Sequence, residues 1–256
     1  MTPATSITRT VGIDLAAQPA RTALAVVVWE PGSAAVSELI RPAFDDQIVA
    51  AVQDCDRAGF DVPLGWPAPF TAFITAHQGD THAPLPDADA WRDLAYRETD
   101  RVVAQSFRKT PLSVSTDRIG LAAFRGATLL ARLRDAGVDV SRDGTGRILE
   151  AYPAVALMQW GLGVNGPYKG TDRGRASANL TLLVDALLTA APWLDLGPHE
   201  ERCRSNDDAF DAVICALIAR AHHLGLCTAP TREQQQRART EGWIAVPEAP
   251  LAALLT

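Results

Sequence analysis

Three strand-forming runs follow one another within the first forty residues with only turns between them, so any sheet this chain forms must begin antiparallel. Val11, Ile13 and Leu15 alternate onto one face, Ala16-Ala-Gln-Pro-Ala20 breaks the pattern, and Thr22 to Trp29 resumes as a Val-rich strand. Pro31-Gly32 supplies the next turn, and Ala34 to Ile40 reads as a third antiparallel strand. The first strand carries an anomaly, because Asp14 interrupts its apolar run Val11-Gly-Ile-Asp-Leu15. A carboxylate inside a hydrophobic strand is costly unless a cation neutralises it. A divalent-metal site is therefore the leading expectation.

Beyond the hairpins, Asp45 can cap a helix from 46 to about 57, with Ile48, Val49, Val52 and Cys55 at the 3.6 period and Gly59 closing it. Phe60-Asp-Val-Pro-Leu-Gly-Trp-Pro67 reads as a short strand stopped by Pro63, which places Asp61 at its C-terminal end. Residues 78 to 112 read as irregular, with room for short helices. A helix is expected from about 117 to 136, carrying Ile119, Leu121, Ala122, Leu129, Leu130 and Leu133, then a turn at Asp143-Gly-Thr-Gly146 into a strand from Arg147 to Tyr152. Pro153 opens a helix to about Leu162, and a Gly-rich basic loop, 163 to 175, leads into a helix ending near Ala191. Asn206 or Asp207 caps a helix that continues to His223, and Glu241 to Pro247 reads as a final edge strand. The order β-β-β-α-β followed mostly by helices predicts one α/β domain with a mixed sheet.

A net charge of −6 argues against coating nucleic acid through a broad basic surface and leaves room only for a local groove. With 47% apolar and 21% charged residues the chain falls in the ordinary globular range, so disorder is not expected. Lys109 and Lys169 are the only lysines, and the other basic residues are arginines. Cys55, Cys203, Cys215 and Cys227 form no CxxC pair and read as reduced core thiols. The N-terminus has no basic region followed by an apolar stretch, and the longest apolar run, Ala23 to Trp29, falls far short of the roughly 20 residues of a membrane helix. A cytoplasmic, soluble protein without membrane contact is expected. No HxxxH spacing and no GxSxG elbow occur, which disfavours zinc-dependent and serine-nucleophile hydrolysis.

Asp208 and Asp211, three residues apart, lie about 60° apart around a helix and can reach one site, with Phe210, Val213, Ile214 and Leu217 turned to another face against the sheet. Together with Asp14 and Asp61 they suit two-metal phosphoryl hydrolysis, in which carboxylates from several elements hold two cations roughly 3.5–4 Å apart. Mg²⁺ and Mn²⁺ prefer such oxygen ligands. Blander roles remain open: Asp207 and Asp208 can simply favour a helix N-terminus, and Asp61 can be a turn residue. Lys169, Arg173 and Arg175 on the Gly-rich loop suit phosphate contact, or the loop is an ordinary solvated connection. In Tyr96-Arg-Glu-Thr-Asp-Arg101, either Arg97 and Asp100 form a structural ion pair or Arg97 and Arg101 face substrate.

Gly12-Ile-Asp-Leu-Ala16, Phe60-Asp-Val-Pro-Leu-Gly-Trp66, Glu150-Ala-Tyr-Pro-Ala154, Asp208-Ala-Phe-Asp-Ala-Val213 and Glu241-Gly-Trp-Ile-Ala-Val-Pro247 span nearly the whole chain. Together they resemble the domain-of-unknown-function family 429 (DUF429), described as predicted nucleases of ribonuclease H fold. The resemblance implies an α/β, ribonuclease H-like mixed central sheet flanked by helices, its first three strands antiparallel and Asp14 on the first. It implies a single domain over 1–256, with helical insertions at about 68–146 and 153–205. The acid layout is most similar to RuvC-type resolvases, with an acid on the first strand, one after the fourth, and a D-x-x-D pair on the last helix. By that likeness Asp14, Asp61, Asp208 and Asp211 bind Mg²⁺ or Mn²⁺ and are catalytic; Glu150, at the end of a strand, is a candidate fifth catalytic acid, either binding metal or orienting a substrate group. RuvC itself has Glu at the second position, so Asp61 is a shorter acid there. The implied activity is metal-dependent nuclease cleavage of DNA or RNA, with a homodimer left open. Two other functions share the fold: a non-catalytic scaffold, and an ATP-binding phosphotransferase of the actin and sugar kinase group. The latter generally needs two such domains and a glycine soon after the first aspartate, where this chain has Asp14-Leu-Ala-Ala17.

Overall fold

Alternation and short turns at the start of the chain produce an antiparallel meander of β1 (Thr8–Asp14), β2 (Ala23–Glu30) and β3 (Ser33–Ile40). The structure is a computed structural model and describes residues 7–79, 81, 89–163, 166–170 and 173–255, the side chain of Arg173 excepted. From β3 the chain crosses through α1 (Asp45–Gln53) and returns as β4 (Arg57–Asp61), parallel to β1. β5 (Ile148–Glu150) adds parallel to β4, and β6 (Leu194–Asp195) adds parallel to β3 at the opposite edge. The result is a mixed six-stranded sheet in the order β5-β4-β1-β2-β3-β6, flanked by helices.

Each face of the sheet buries its own core. On one face, Ala23, Ala25, Val27 and Trp29 of β2 pack with α6 (Pro153–Gln159), α7 (Arg173–Ala190) and α9 (Asp207–His223). On the other, Leu24 and Val26 join Val11, Ile13 and Phe60 against α1 and α5 (Ile119–Asp135), which contribute Ile48, Val52, Leu129 and Leu133. This is the period-2 alternation of a strand covered on both sides.

The start of α9 is fixed by Asn206, whose side chain accepts a 2.9 Å hydrogen bond from the Ala209 amide. From Asp208 to Ala221 every residue of α9 is buried, so the helix is enclosed on all sides rather than only on its apolar face. Its backbone lies directly on the sheet over two glycines. A Cβ on Gly12 would run into the Ala212 carbonyl oxygen, and one on Gly59 would sit 2.6 Å from the Cys215 carbonyl oxygen. Gly59 therefore does not end a helix: α1 already stops at Gln53, and Gly59 stands inside β4 to let α9 approach.

Other expectations also shift. α2 (Ala68–Gln78) opens the helical insertion expected from about 68, and α3 (Ala90–Ala95) and α4 (Glu98–Phe107) are the short helices of the following stretch. Leu121 is 62% exposed, because its side of α5 faces away from the sheet. The segment 241–247 makes only isolated bridges, Ile244 to Glu150 and Pro247 to Cys227, rather than an edge strand. All four cysteines are free thiols, three of them buried. Among the described residues no helix is long and apolar enough to cross a membrane.

Candidate active site

β1 and β4 run parallel in a register that sets Gly12 beside Gly59 and Asp14 beside Asp61. Residues two apart on a strand share a face, so each strand presents the same local device, Gly-Ile-Asp in β1 and Gly-Phe-Asp in β4. The glycine admits the backbone of α9, and the aspartate, at the strand's carboxyl end, comes to lie beside that helix's first turns. Asp211 stands one turn before Cys215 and completes the group. Asp14, Asp61 and Asp211 open with Tyr168 and Lys169 into a cleft of about 800 Å³. The position outside the carboxyl ends of parallel strands is where open α/β sheets place ligands.

The three acids differ in what holds them. Asp211 is fully buried; its Oδ1 accepts a 2.9 Å hydrogen bond from Tyr168 Oη, and its Oδ2 is ion-paired with the Lys169 ammonium. Asp14 and Asp61 are half-buried, and among the described residues neither carboxylate accepts a hydrogen bond or forms an ion pair. Burial, and then the neighbouring Asp61, raise the Asp14 carboxyl well above the ordinary aspartate range. Burial pushes Asp61 up to about 7; Lys169 opposes this, while Asp211 and Glu150 add to it. Burial also raises Asp211, tempered by Lys169. For Lys169, burial alone would favour the neutral amine, but Asp211, Asp14 and Asp61 outweigh it and hold the ammonium above its usual range. The cleft is thus a site of concentrated negative charge, with the Lys169 ammonium set among the three aspartates.

Several residues expected at the site are engaged elsewhere. Asp208 Oδ2 accepts from Arg41 Nε at 2.9 Å and Nη2 at 2.8 Å. Arg41 follows the end of β3, two strands from β1; Asp208 does not line the cleft, although its charge still acts on Asp14. Glu150 sits in register with Phe60, on the opposite face from Asp61, and both its oxygens accept from Arg97, at 2.6 and 2.7 Å. Arg97 is 1% exposed and also bonds Asp100 twice and the Glu241 carbonyl, so the structural ion pair forms, and both Arg97 and Glu150 lie along the wall of the cleft. Glu150, locked by that guanidinium, is not an open acid. Arg101 is paired with Asp93 and Glu98 outside the cleft. Arg175 lies against Gly166 on α7 and does not line the cleft. The side chain of Arg173 lies outside the described residues.

One residue that sequence reasoning left unassigned belongs here. Lys109 is exposed and lines the cleft, so both lysines of the chain face the same cavity. The rarity of lysine was the available signal for it. The signal for the acid pair was the repeated Gly-x-Asp at 12–14 and 59–61, which motif spacing along the chain did not single out.

Among the described residues, no three His, Cys, Asp or Glu side chains come close enough together to hold a metal ion as they stand. The reason is local: Asp208 and Glu150 are diverted to arginines, and Asp211 is engaged by Lys169 and Tyr168. What remains is the Asp14 and Asp61 pair. An oxygen-only pair of this kind fits Mg²⁺ or Mn²⁺, since Mg²⁺ is commonly held by one or two carboxylates with water and substrate phosphates completing its shell.

Fold and cleft together define an α/β protein whose acids gather at the carboxyl ends of two adjacent parallel strands. A family model described as protein of unknown function (DUF429) matches residues 12–235, and the chain belongs to that family. No curated protein and no solved structure matches it.

Proposed function

We propose that this protein is a Mg²⁺- or Mn²⁺-dependent nuclease of ribonuclease H-like build. The observation that carries the reading is the pair Asp14 and Asp61, side by side in register, shifted towards protonation by burial, without a hydrogen-bond or ion-pair partner among the described residues, and open to a cleft. Two further features support it. The first three strands are antiparallel with Asp14 ending β1 and Asp61 ending β4, and the helix bearing Asp208 and Asp211 lies over β1, as the family resemblance leads one to expect. Asp208 departs from that layout through its pairing with Arg41.

A divalent ion on this pair would polarise a phosphoryl oxygen and make bound water acidic. Asp14 and Asp61 supply the negative oxygens, and relief of their mutual repulsion favours cation binding. Lys109 at the rim and Lys169 within present ammonium groups for phosphate oxygens. Tyr152 lines the same cleft; burial pushes its phenol up to about 12, so it remains a hydrogen-bond donor at neutral pH. Leu15, Val62, Leu112 and Leu157 form an apolar wall that excludes water and suits the face of a base. The net charge of −6 and the commitment of Arg41, Arg97 and Arg101 to ion pairs argue against a broad basic track leading from the cleft. A short or structured nucleic acid is therefore the favoured substrate over long duplex.

The test is a cleavage panel of single-stranded DNA, duplex DNA, RNA and a branched junction, with Mg²⁺ or Mn²⁺. Cleavage that EDTA abolishes and that Asp14→Asn or Asp61→Asn lowers at least ~100-fold is expected, in line with the loss of a group acting on the reacting phosphate. An Asp14→Asn variant as active as the wild type, or no cleavage across the panel, would overturn the proposal.

A further inference from the structure

The Lys169 ammonium sits against the buried Asp211 carboxylate, and the charges of Asp14 and Asp61 act on it as well. Asp211, which the family resemblance assigns to metal, already has a partner on each oxygen: Oδ1 accepts from the Tyr168 hydroxyl and Oδ2 is ion-paired with Lys169. Among the described residues no well-formed hydrogen bond reaches that buried Oδ2, and the Lys169 ammonium is the charge that faces it. The segment that delivers Lys169 is tethered at the two residues just before the lysine. Asn179 Nδ2 of α7 donates to the Pro167 carbonyl at 2.9 Å, and the Tyr168 ring meets Phe210 of α9 edge-on at 6.1 Å between centroids. Lys169 therefore arrives at Asp211 from an anchored strap, with its side chain 44% exposed towards the cleft.

Charge gives the consequence. Asp14, Asp61 and Asp211, when ionised, carry three negative charges, and Lys169 returns one. One divalent ion then closes the group to neutrality, whereas two would leave it doubly positive in a partly desolvated site, a costly state. We infer that the site takes a single divalent ion, on Asp14 and Asp61, and that the Lys169 ammonium stands in the position of a second cation. This rests on the metal-dependent reading above and departs from the two-metal expectation drawn from sequence. In the proposed reaction Lys169 then neutralises charge on the phosphate from a fixed place, while the metal side is formed by the two strands.

The experiment counts ions. Mn²⁺ is titrated into the full chain and its stoichiometry read by calorimetry and by the electron paramagnetic resonance signal of free Mn²⁺, for wild type, Lys169→Arg and Lys169→Met, with Lys169→Gln as a second neutral variant should Met not fold. The expected result is one Mn²⁺ per chain for wild type and Lys169→Arg. The neutral variants should bind a second ion or bind the first at least ~10-fold more tightly, because the competing positive charge is gone. Two Mn²⁺ ions on the wild type would overturn the single-ion inference and leave the metal-dependent reading standing. Neutral variants with unchanged stoichiometry and affinity would overturn the role of Lys169. Absence of binding to the wild type would remove both the inference and the reading beneath it.

Discussion

Asp61→Asn should make the metal-free protein more stable, by an amount that grows as the pH rises from the ordinary value of 3.8 to about 7 and is full above it. Asp61 is pushed from an ordinary 3.8 to about 7, chiefly by burial. A carboxyl whose folded-state value is raised contributes stability below its unfolded value, and that contribution is lost as the pH rises through the folded value. Asparagine mimics the neutral carboxyl at every pH, so its advantage is absent near pH 4, grows towards pH 7 and is level above it. About 1.4 kcal/mol per pH unit sets a ceiling of about 4 kcal/mol. Asp61 is half-buried on a cleft, and Asp14 and Lys169 share its titration, so solvent screening and coupling reduce this to about 1–2 kcal/mol. For a chain of this size that corresponds to about 2–8 °C in melting temperature. The assay is thermal unfolding in EDTA at about pH 5 and about pH 8, with a Mg²⁺ repeat at the higher pH. The variant should melt close to the wild type at the lower pH and above it at the higher. Mg²⁺ should raise the wild type and leave the variant nearly unmoved. Equal melting at both pH values, or a less stable variant at pH 8, would refute the reasoning.

Arg97→Met leaves Asp100 and Glu150 buried without their counter-ion, which should cost about 3–5 kcal/mol in urea unfolding; an unmoved midpoint would contradict the ion-pair role. Gly59→Ala places a Cβ 2.6 Å from the Cys215 carbonyl oxygen, where neither backbone can yield. It should displace α9 and yield a protein that is insoluble or melts at least ~10 °C lower; a wild-type melting curve would contradict the close approach. Asp208→Asn should retain wild-type Mn²⁺ affinity within about threefold while Asp61→Asn weakens it at least ~30-fold, since Arg41 and not the cleft holds Asp208. Equal losses in the two variants would return Asp208 to the site.

Local pattern carried much of the fold. The alternation of Val11, Ile13 and Leu15, the turn at Pro31-Gly32 and the cap at Asn206 are properties of neighbouring residues, and the meander and α9 follow from them. Asp14 and Asp61 were legible for the same reason, each standing at the end of a short strand. Gly59 was not, because its purpose is contact with Cys215, 156 positions further along (215 − 59 = 156), and in sequence it looks like a helix terminator. The fates of Asp208 and Glu150 were hidden likewise. Their partners, Arg41 and Arg97, lie 167 and 53 residues away, and nothing near either acid announces them. Of the four expected metal ligands, those supplied by strands stand open and those supplied by the helix are engaged, a distinction that only packing draws.

The most direct measurement is anomalous diffraction from crystals soaked in Mn²⁺. An anomalous peak ligated by the carboxylates of both Asp14 and Asp61, clear of Asp208, is the expected result. Soaked crystals with no peak at that pair, or with manganese bound only elsewhere on the surface, would contradict the assignment of these two aspartates as the metal site.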